Sequence, residues 1–332
     1  MSKPERTSGF FSLASISPIG RIMNGGLAVS LTAIAFFSFA GIGDRMPARD
    51  PIVLGHQEII MGNWPGKKSA GLPALGDETA RGERPLRIAS YNVHKYTGLD
   101  FRRDPERIAA VIRSLDADIV SLQEVLSDPG AAPSSQLRIL AEKTGMHMAV
   151  AGPTMRKADG QYGNALLSRF PITRVRLHDI SLGAFEPRGI IDADIRVGDQ
   201  TVRVLTTHFG LWPMERDRQA QRLLELLPEN PSQPLIVMGD MNCWAPGSPV
   251  LRRLQERLGT PATRRSYPAP LPLFPLDRIW IQAAGYRLVV EAPRSLLARI
   301  ASDHLPMVAT ILFAGKLQAA NLAPLRSFRA FP

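Results

Sequence analysis

A series of short apolar runs, each of strand length and each closed by an acid, an amide or an imidazole, constrains this chain more than any other feature. The clearest run is "LIVMGDMNCW", residues 235–244. Four apolar residues lead into Gly239, and Asp240 and Asn242 follow with Met241 between them. A short apolar run bounded by glycine reads as a strand buried on both faces. Other runs share the pattern. "ASYNVHK" puts Asn92 at a strand end, "VSLQEV" puts Glu124 at another, and "LTTHFG" puts His208 at a third. "YGNALLSR" sets Asn164 near a strand start, "PLDRIW" sets Asp277 at one, and "ASDHLP" sets Asp303 and His304 just before the last strand. Strand ends of open α/β sheets are where polar groups meet ligands. Singly, each residue also has an ordinary explanation as a turn, cap or surface group.

Helical segments lie between these runs. "DPERIAAVIRSLDA" reads as a helix with Asp104 as N-cap and Pro105 at the first helical position. Ile108, Val111, Ile112 and Leu115 form its apolar face. Residues 134–144, "ERDRQAQRLLELL" and "SPVLRRLQERL" read as further helices, and "GIIDADIRV" with "TVRVLTTHF" as a hairpin closed by Gly198-Asp199-Gln200. Strands first alternate with helices and then cluster. That order predicts two β-sheets with helices outside them, not a single doubly wound sheet. The domain spans residues 86–313. Residues 44–85, rich in Pro and Gly, read as a linker, and residues 314–332 as a basic tail with Arg326 and Arg329.

The formal net charge of +10 favours contact with something anionic, whether nucleic acid, anionic lipid or a phosphorylated small molecule, and equally serves solubility. The single cysteine, Cys243, excludes an internal disulfide and a paired-cysteine metal site, and reads as packing. Residues 25–43 carry no charge, and Lys3, Arg6 and Arg21 precede them. Such a stretch spans a bilayer as a helix, with its basic flank left in the cytoplasm and the rest of the chain exported. A signal removed after Ser38-Phe39-Ala40 is the alternative to an uncleaved anchor.

The order Asn, Gln-Glu, Gly-Asn, His, Gly-Asp-x-Asn, Asp and Asp-His, each on an apolar strand, resembles the endonuclease/exonuclease/phosphatase superfamily with the DNase I-like fold. The resemblance runs from about Leu86 to Phe313, and "GDMN" and "SDHLP" are its most specific pieces. It implies a four-layer α/β sandwich of two mixed sheets with an active site at one edge, and hydrolysis of phosphoester bonds with Mg²⁺ or Mn²⁺. Oxygen ligands suit those hard ions, which neutralise phosphate charge. By the same resemblance Glu124 is the principal metal ligand with Asn92 beside it, and Asp303 belongs to the metal region. Asp240 aligns or deprotonates the attacking water, and Asn242 holds water and phosphate. His208 donates to a phosphate oxygen. His304, oriented by Asp277, binds phosphate or acts as base. Asn164 lines the phosphate site. Arg188, in "EPRG", either reaches a phosphate or pairs with Glu186. Several nuclease members carry an acid where "NVH" has His94, which is read first as a structural residue.

The superfamily spans nucleases, phosphatases and phosphodiesterases, so shared residues fix the reaction and not the substrate. The uncharged N-terminal stretch, the compact catalytic region and scattered basic residues favour a phosphodiesterase acting at a membrane, on phospholipid or another small phosphodiester. An exported or anchored nuclease is the alternative. A catalytically silent binding module is the third reading, disfavoured because every acidic and imidazole position of the motif set is filled.

Overall fold

Residues 235–240 show how the layers arise. Leu235 and Val237 pack into one buried cluster, while Ile236 and Met238 pack into another. Side chains alternate between the faces of a strand, so four consecutive apolar residues mean that both faces are covered. The computed structural model describes residues 59–61 and 85–313, apart from 128–132, 159, 246 and 284. The membrane stretch expected at residues 25–43, most of the 44–85 linker and the 314–332 tail lie outside the described residues. Among the described residues no helix is long and apolar enough to cross a membrane.

In chain order the elements are β1 (Ile59–Met61), β2 (Leu86–Asn92), α1 (Pro105–Leu115), β3 (Ile119–Leu126), α2 (Pro133–Thr144), β4 (Met148–Lys157), β5 (Gly160–Ser168), β6 (Ile172–Asp179), β7 (Gly189–Val197), β8 (Gln200–His208), α3 (Pro213–Glu225), β9 (Leu235–Asp240), α4 (Pro249–Leu258), β10 (Ala262–Thr263), β11 (Asp277–Gln282), β12 (Tyr286–Glu291), α5 (Leu296–Ala301) and β13 (Met307–Phe313). One sheet has the order β1-β4-β5-β3-β2-β13-β12, the other β10-β11-β9-β8-β7-β6. Three apolar layers hold the sandwich together. Ile88, Ile119, Leu166, Ile191, Ile236 and Ile279 fill the space between the sheets. Tyr91, Leu122, Ile112 and Leu140 lie between the first sheet and its helices. Val237, Trp280, Leu223 and Leu254 lie between the second sheet and α3 with α4. This is the expected four-layer sandwich of two mixed sheets.

Each sheet contains one parallel pair, β2 with β3 and β8 with β9, joined through α1 and α3 respectively. All other pairings are antiparallel. The C-terminal ends of a parallel pair therefore lie beside the N-terminal starts of their antiparallel neighbours. Asp277, the first residue of β11, sits opposite Asp240, the last of β9. His208 pairs in register with Asp240. Glycine is required at 239: its φ is +147°, and a Cβ there would come within 1.9 Å of the Thr207 carbonyl oxygen.

The helix expected after Asp104 is α1; the Asp104 side chain accepts from the Arg107 N–H at 2.9 Å, and Asp116, with φ 46°, ends the helix. The hairpin closes on Gly198 and Asp199 alone, because Gln200 pairs with Val197. Strands β1, β6 and β10 and helix α5 are additional to the expected elements. Strand β6 is an edge strand rich in charge, and its Arg176 is drawn to a polar centre. Asp192, fully buried on β7, accepts paired hydrogen bonds from Arg176 at 2.7 and 2.8 Å and from Arg203 at 2.8 and 2.9 Å. Burial alone would raise the Asp192 pKa, but the two guanidinium groups outweigh it and hold the carboxyl far below its usual range. A depressed folded-state pKa contributes stability above the unfolded value of about 3.9 and loses it as pH falls further. Stability measured by urea unfolding should therefore fall below about pH 4, and Asp192→Asn should flatten that acid dependence while lowering stability at neutral pH by ~2 kcal/mol or more.

Candidate active site at the strand ends

The two parallel pairs deliver their terminal residues to one cleft. Asn92, at the end of β2, is buried, and its Nδ2 donates to Glu124 Oε1 at 3.0 Å and to Asp240 Oδ2 at 3.2 Å. Its Oδ1 accepts from the His94 N–H at 3.0 Å. The amide thus turns its nitrogen to both carboxylates. Asn92 is expected as a metal ligand; here its nitrogen lies between the two acids, and its Oδ1 is the oxygen left for such a role. Glu124 lies where the β3–β5 register shifts between Leu122 and Val125, and its φ is +57°. A non-glycine residue takes that conformation only when its surroundings enforce it.

Asp240, buried at the end of β9, accepts from the Asn242 N–H at 2.9 Å. Its Oδ2 lies 3.5 Å from His208 Nε2 and 3.6 Å from His304 Nε2. Burial, reinforced by the Asp277 charge, pushes its pKa up to about 6 against the pull of His304 and two hydrogen-bond donors. His304 Nδ1 lies 3.0 Å from Asp277 Oδ2, so Nδ1 carries the hydrogen and Nε2 faces Asp240. Burial would lower the His304 pKa, but Asp277 and Asp240 outweigh it and push it up to about 10.

His208 is the opposite case. Arg188 Nη1 lies 3.1 Å from His208 Nδ1. His208 Nε2 in turn lies 2.9 Å from Asn242 Nδ2 and 3.5 Å from Asp240 Oδ2. A guanidinium cannot accept in any orientation, so Nδ1 is the acceptor and the ring hydrogen is left on Nε2, shared between the Asn242 side and Asp240. Burial, Arg188 and His304 all drive its pKa well below the ordinary value, and the ring is neutral. Arg188 itself is buried, paired with Glu186 Oε1 at 3.0 Å. It combines the expected salt bridge with a hold on His208, and reaches the cleft through that ring. Asn242, with φ 48°, donates from Nδ2 to the Phe209 carbonyl at 2.8 Å. Asn164 on β5 donates to the Gly189 carbonyl on β7 at 3.0 Å, which ties the two sheets at the cleft.

Asp303 is half-buried, and its Oδ1 accepts from Ser302 Oγ at 3.3 Å, while the same hydroxyl lies 2.8 Å from the Asn92 carbonyl. His94 Nδ1 lies 3.1 Å from the Thr97 carbonyl and 3.9 Å from Asp303. Among the described residues no group of three or more His, Cys, Asp or Glu forms a ready-made metal cage. The donor chemistry nevertheless fits Mg²⁺, which keeps several waters and takes one or two carboxylates plus substrate phosphate. Glu124 is half-buried, and its Oε2 has no protein partner among the described residues.

Residues 89–304 match the model of the Endonuclease/Exonuclease/phosphatase family. The chain belongs to this family. YbhP of Escherichia coli K12, an uncharacterized protein, is 30% identical over 247 residues, covering 68% of this chain and 96% of YbhP. Two solved structures share the fold. The mannosyl-6-phosphatase Bt3783 of Bacteroides thetaiotaomicron has a TM-score of 0.54 at 16% identity, covering 69% of this chain and all of that one (100%). D. rerio TDP2 complexed with single-strand DNA product has a TM-score of 0.52 at 18% identity, covering 69% and 99%.

Three supporting residues of this family member were not anticipated. Ser266 Oγ donates to Asp277 Oδ2 at 2.5 Å, and the Tyr267 ring tilts against His304 with centroids 4.9 Å apart. Ser302 lay inside the quoted "SDHLP", where a hydroxyl before an acid is a visible turn signal. Ser266 and Tyr267 belong to no motif and are brought in only by the loop before β11. The pull of Asp277 on His304 is directly testable. Asp277→Asn should lower the His304 pKa measured by NMR titration of the ring; an unchanged titration would assign the pull to Asp240 and Asp303.

Proposed function

We propose that the protein is a divalent-metal-dependent hydrolase of phosphoester bonds, a phosphodiesterase working at a membrane. One observation carries the chemistry: the Nε2 atoms of His304 and His208 both face Asp240 Oδ2, at 3.6 and 3.5 Å. Two hydrogen-bond donors and a carboxylate of raised pKa thus converge on one point. Glu124 is the residue to hold Mg²⁺ or Mn²⁺, with Asp303 in the same region, and the ion supplies charge neutralisation when bound.

The chain's own residues account for the remaining steps. Asp240 takes the proton of the attacking water, which Asn242 helps to hold. His304 donates from Nε2 to a phosphate oxygen, with Asp277 fixing its tautomer and stabilising its positive charge. Neutral His208 donates from Nε2 to another oxygen, and Arg188 keeps it in that tautomer. Asn164 lines the phosphate site. As the water oxygen attacks phosphorus, the ester P–O bond breaks, the electron pair leaves on the alkoxide oxygen, and the alkoxide takes a proton from bulk water while Asp240 returns its own to solvent.

The membrane setting is supported by the uncharged residues 25–43 and the basic residues before them. It puts the catalytic domain on the exported side, anchored, or secreted if the segment is cleaved. Comparing the mature mass with that of the full chain separates these two forms.

Activity requires Asp240 ionised and His304 protonated. The pH profile of kcat/KM should therefore rise on an acid limb at or below about 6 and fall on an alkaline limb toward about 10. Asp240→Asn should abolish the acid limb and lower turnover by ~10²-fold or more; an intact limb would remove Asp240 as the base. Glu124→Ala should leave the protein folded and weaken activity together with its dependence on Mg²⁺ or Mn²⁺, titrated after chelation by EDTA. The substrate class is read by offering bis-p-nitrophenyl phosphate, phospholipid vesicles, plasmid DNA and RNA in parallel. Cleavage of DNA but not lipid would establish the nuclease alternative.

A further inference from the structure

The large apolar side chains left exposed are not scattered. Leu99, Phe101, Ile139, Leu211, Trp212, Met214, Trp244, Leu271, Val289, Leu296 and Ile300 are the exposed ones among the described residues. All but Ile139 and Val289 lie on segments that follow or precede the strand ends of the cleft. Leu99 and Phe101 follow β2, Leu211 to Met214 follow β8, and Trp244 follows β9. Leu271 precedes β11, and Leu296 and Ile300 on α5 precede β13.

Contacts between these segments join them into one rim. The Leu99 N–H donates to the Ile300 carbonyl at 3.0 Å. Arg299 of α5 donates to the Pro270 carbonyl at 3.3 Å, beside Leu271. The Trp244 and Phe274 rings lie 5.1 Å apart, which joins the post-β9 loop to the loop before β11. Asn242 is bonded to the Phe209 carbonyl, which leads into Leu211 and Trp212. The exposure is high where the rim protrudes: 78% for Phe101, 63% for Leu211, 56% for Trp212 and 62% for Met214. A monomeric domain rarely exposes so concentrated an apolar patch without a partner for it.

The same segments are basic. Lys95, Arg102, Arg103, Arg216, Arg264, Arg265, Arg294 and Arg299 stand against Asp100, Asp104, Glu215, Asp217 and Asp303. Four of these five acids are already committed: Asp100 pairs with Arg107 at 2.8 Å, Asp104 caps α1, Asp217 pairs with Arg253 at 2.9 Å and Glu215 is buried, while Asp303 belongs to the active site. Apolar side chains at the tips with arginines around them are the pattern of an interfacial membrane contact. Single-stranded nucleic acid would instead need a run of aromatic platforms. Only Phe101, Trp212 and Trp244 of the nine rim residues are aromatic, and the other six are aliphatic side chains on which bases do not stack.

We propose that the rim of the cleft is a docking surface for an anionic phospholipid bilayer, which seats the active site on the lipid headgroups. This rests on the phosphoesterase reading above and narrows its substrate class to phosphoesters presented at a lipid surface. It also assigns the catalytic domain a membrane contact separate from residues 25–43.

The test uses the full chain mixed with phosphatidylglycerol vesicles whose acyl chains carry bromine near the glycerol end. Tryptophan emission is read in a Trp64→Phe background, since Trp280 is fully buried and Trp212 and Trp244 sit on the rim. Bromine should quench the emission, and transfer of the two indoles out of water should blue-shift it, both less so in phosphatidylcholine vesicles. Phe101→Ser combined with Met214→Ser should reduce the quenching while hydrolysis of soluble bis-p-nitrophenyl phosphate stays unchanged. A chain that sediments with the vesicles without quenching is held by residues 25–43 alone, and overturns the proposal. Quenching equal in both lipids overturns its preference for anionic surfaces. Burial of the two tryptophans by oligo(dT) in place of vesicles overturns it in favour of a nucleic-acid platform. Quenching without hydrolysis of the soluble ester refutes the phosphoesterase reading while leaving the docking surface standing; hydrolysis without quenching does the reverse.

Discussion

The site depends on one amide. Asn92 Nδ2 reaches Glu124 in the first sheet and Asp240 in the second, at 3.0 and 3.2 Å. Two carboxylates approaching from different sheets repel one another, and burial of Asp240 adds a desolvation cost. A neutral donor shared between them offsets both effects without supplying a charge of its own. The Ser302 hydroxyl, bonded to the Asn92 carbonyl and Asp303, extends the link to the start of β13. Sheet packing and site assembly are therefore one event: the polar ends meet only if the apolar layer of Ile88, Ile119, Ile236 and Ile279 brings the sheets together.

Two histidines in one cleft are held in opposite charge states by their second nitrogens. Asp277 and Asp240 favour the cation at His304 against its burial, while burial and Arg188 favour the neutral ring at His208. Neither Asp277 nor Arg188 needs to touch substrate. Both are buried and act through the ring they hold, which is how a site obtains two kinds of phosphate contact from one residue type.

Much of the fold was legible along the chain, because helix and strand periods are local. The apolar run that opens residues 235–244 reads as a buried strand and forms β9, Leu235–Asp240. Asp104 and Pro105 announced α1. Strand β6 was not legible, because Arg174, Arg176 and His178 conceal an edge strand whose partner, Asp192, lies on the next strand. Helix α5 is only six residues long and lacks the repeats that make a helical period visible.

The sequence by itself determined the element types, the layering implied by doubly apolar strands, and the identity of the chemical groups at the strand ends, since these follow from local periodicity and composition. Only the tertiary structure decided the direction in which each group points. It turned the nitrogen of Asn92 toward the acids, engaged Arg188 with Glu186 and His208, and brought Ser266 and Tyr267 to Asp277 and His304. It also left Leu, Met, Phe and Trp side chains exposed on the segments that flank the strand ends of the cleft. The reason is physical: hydrogen-bond direction, protonation and exposure depend on neighbours distant in the chain, and those neighbours exist only once the sheets are stacked.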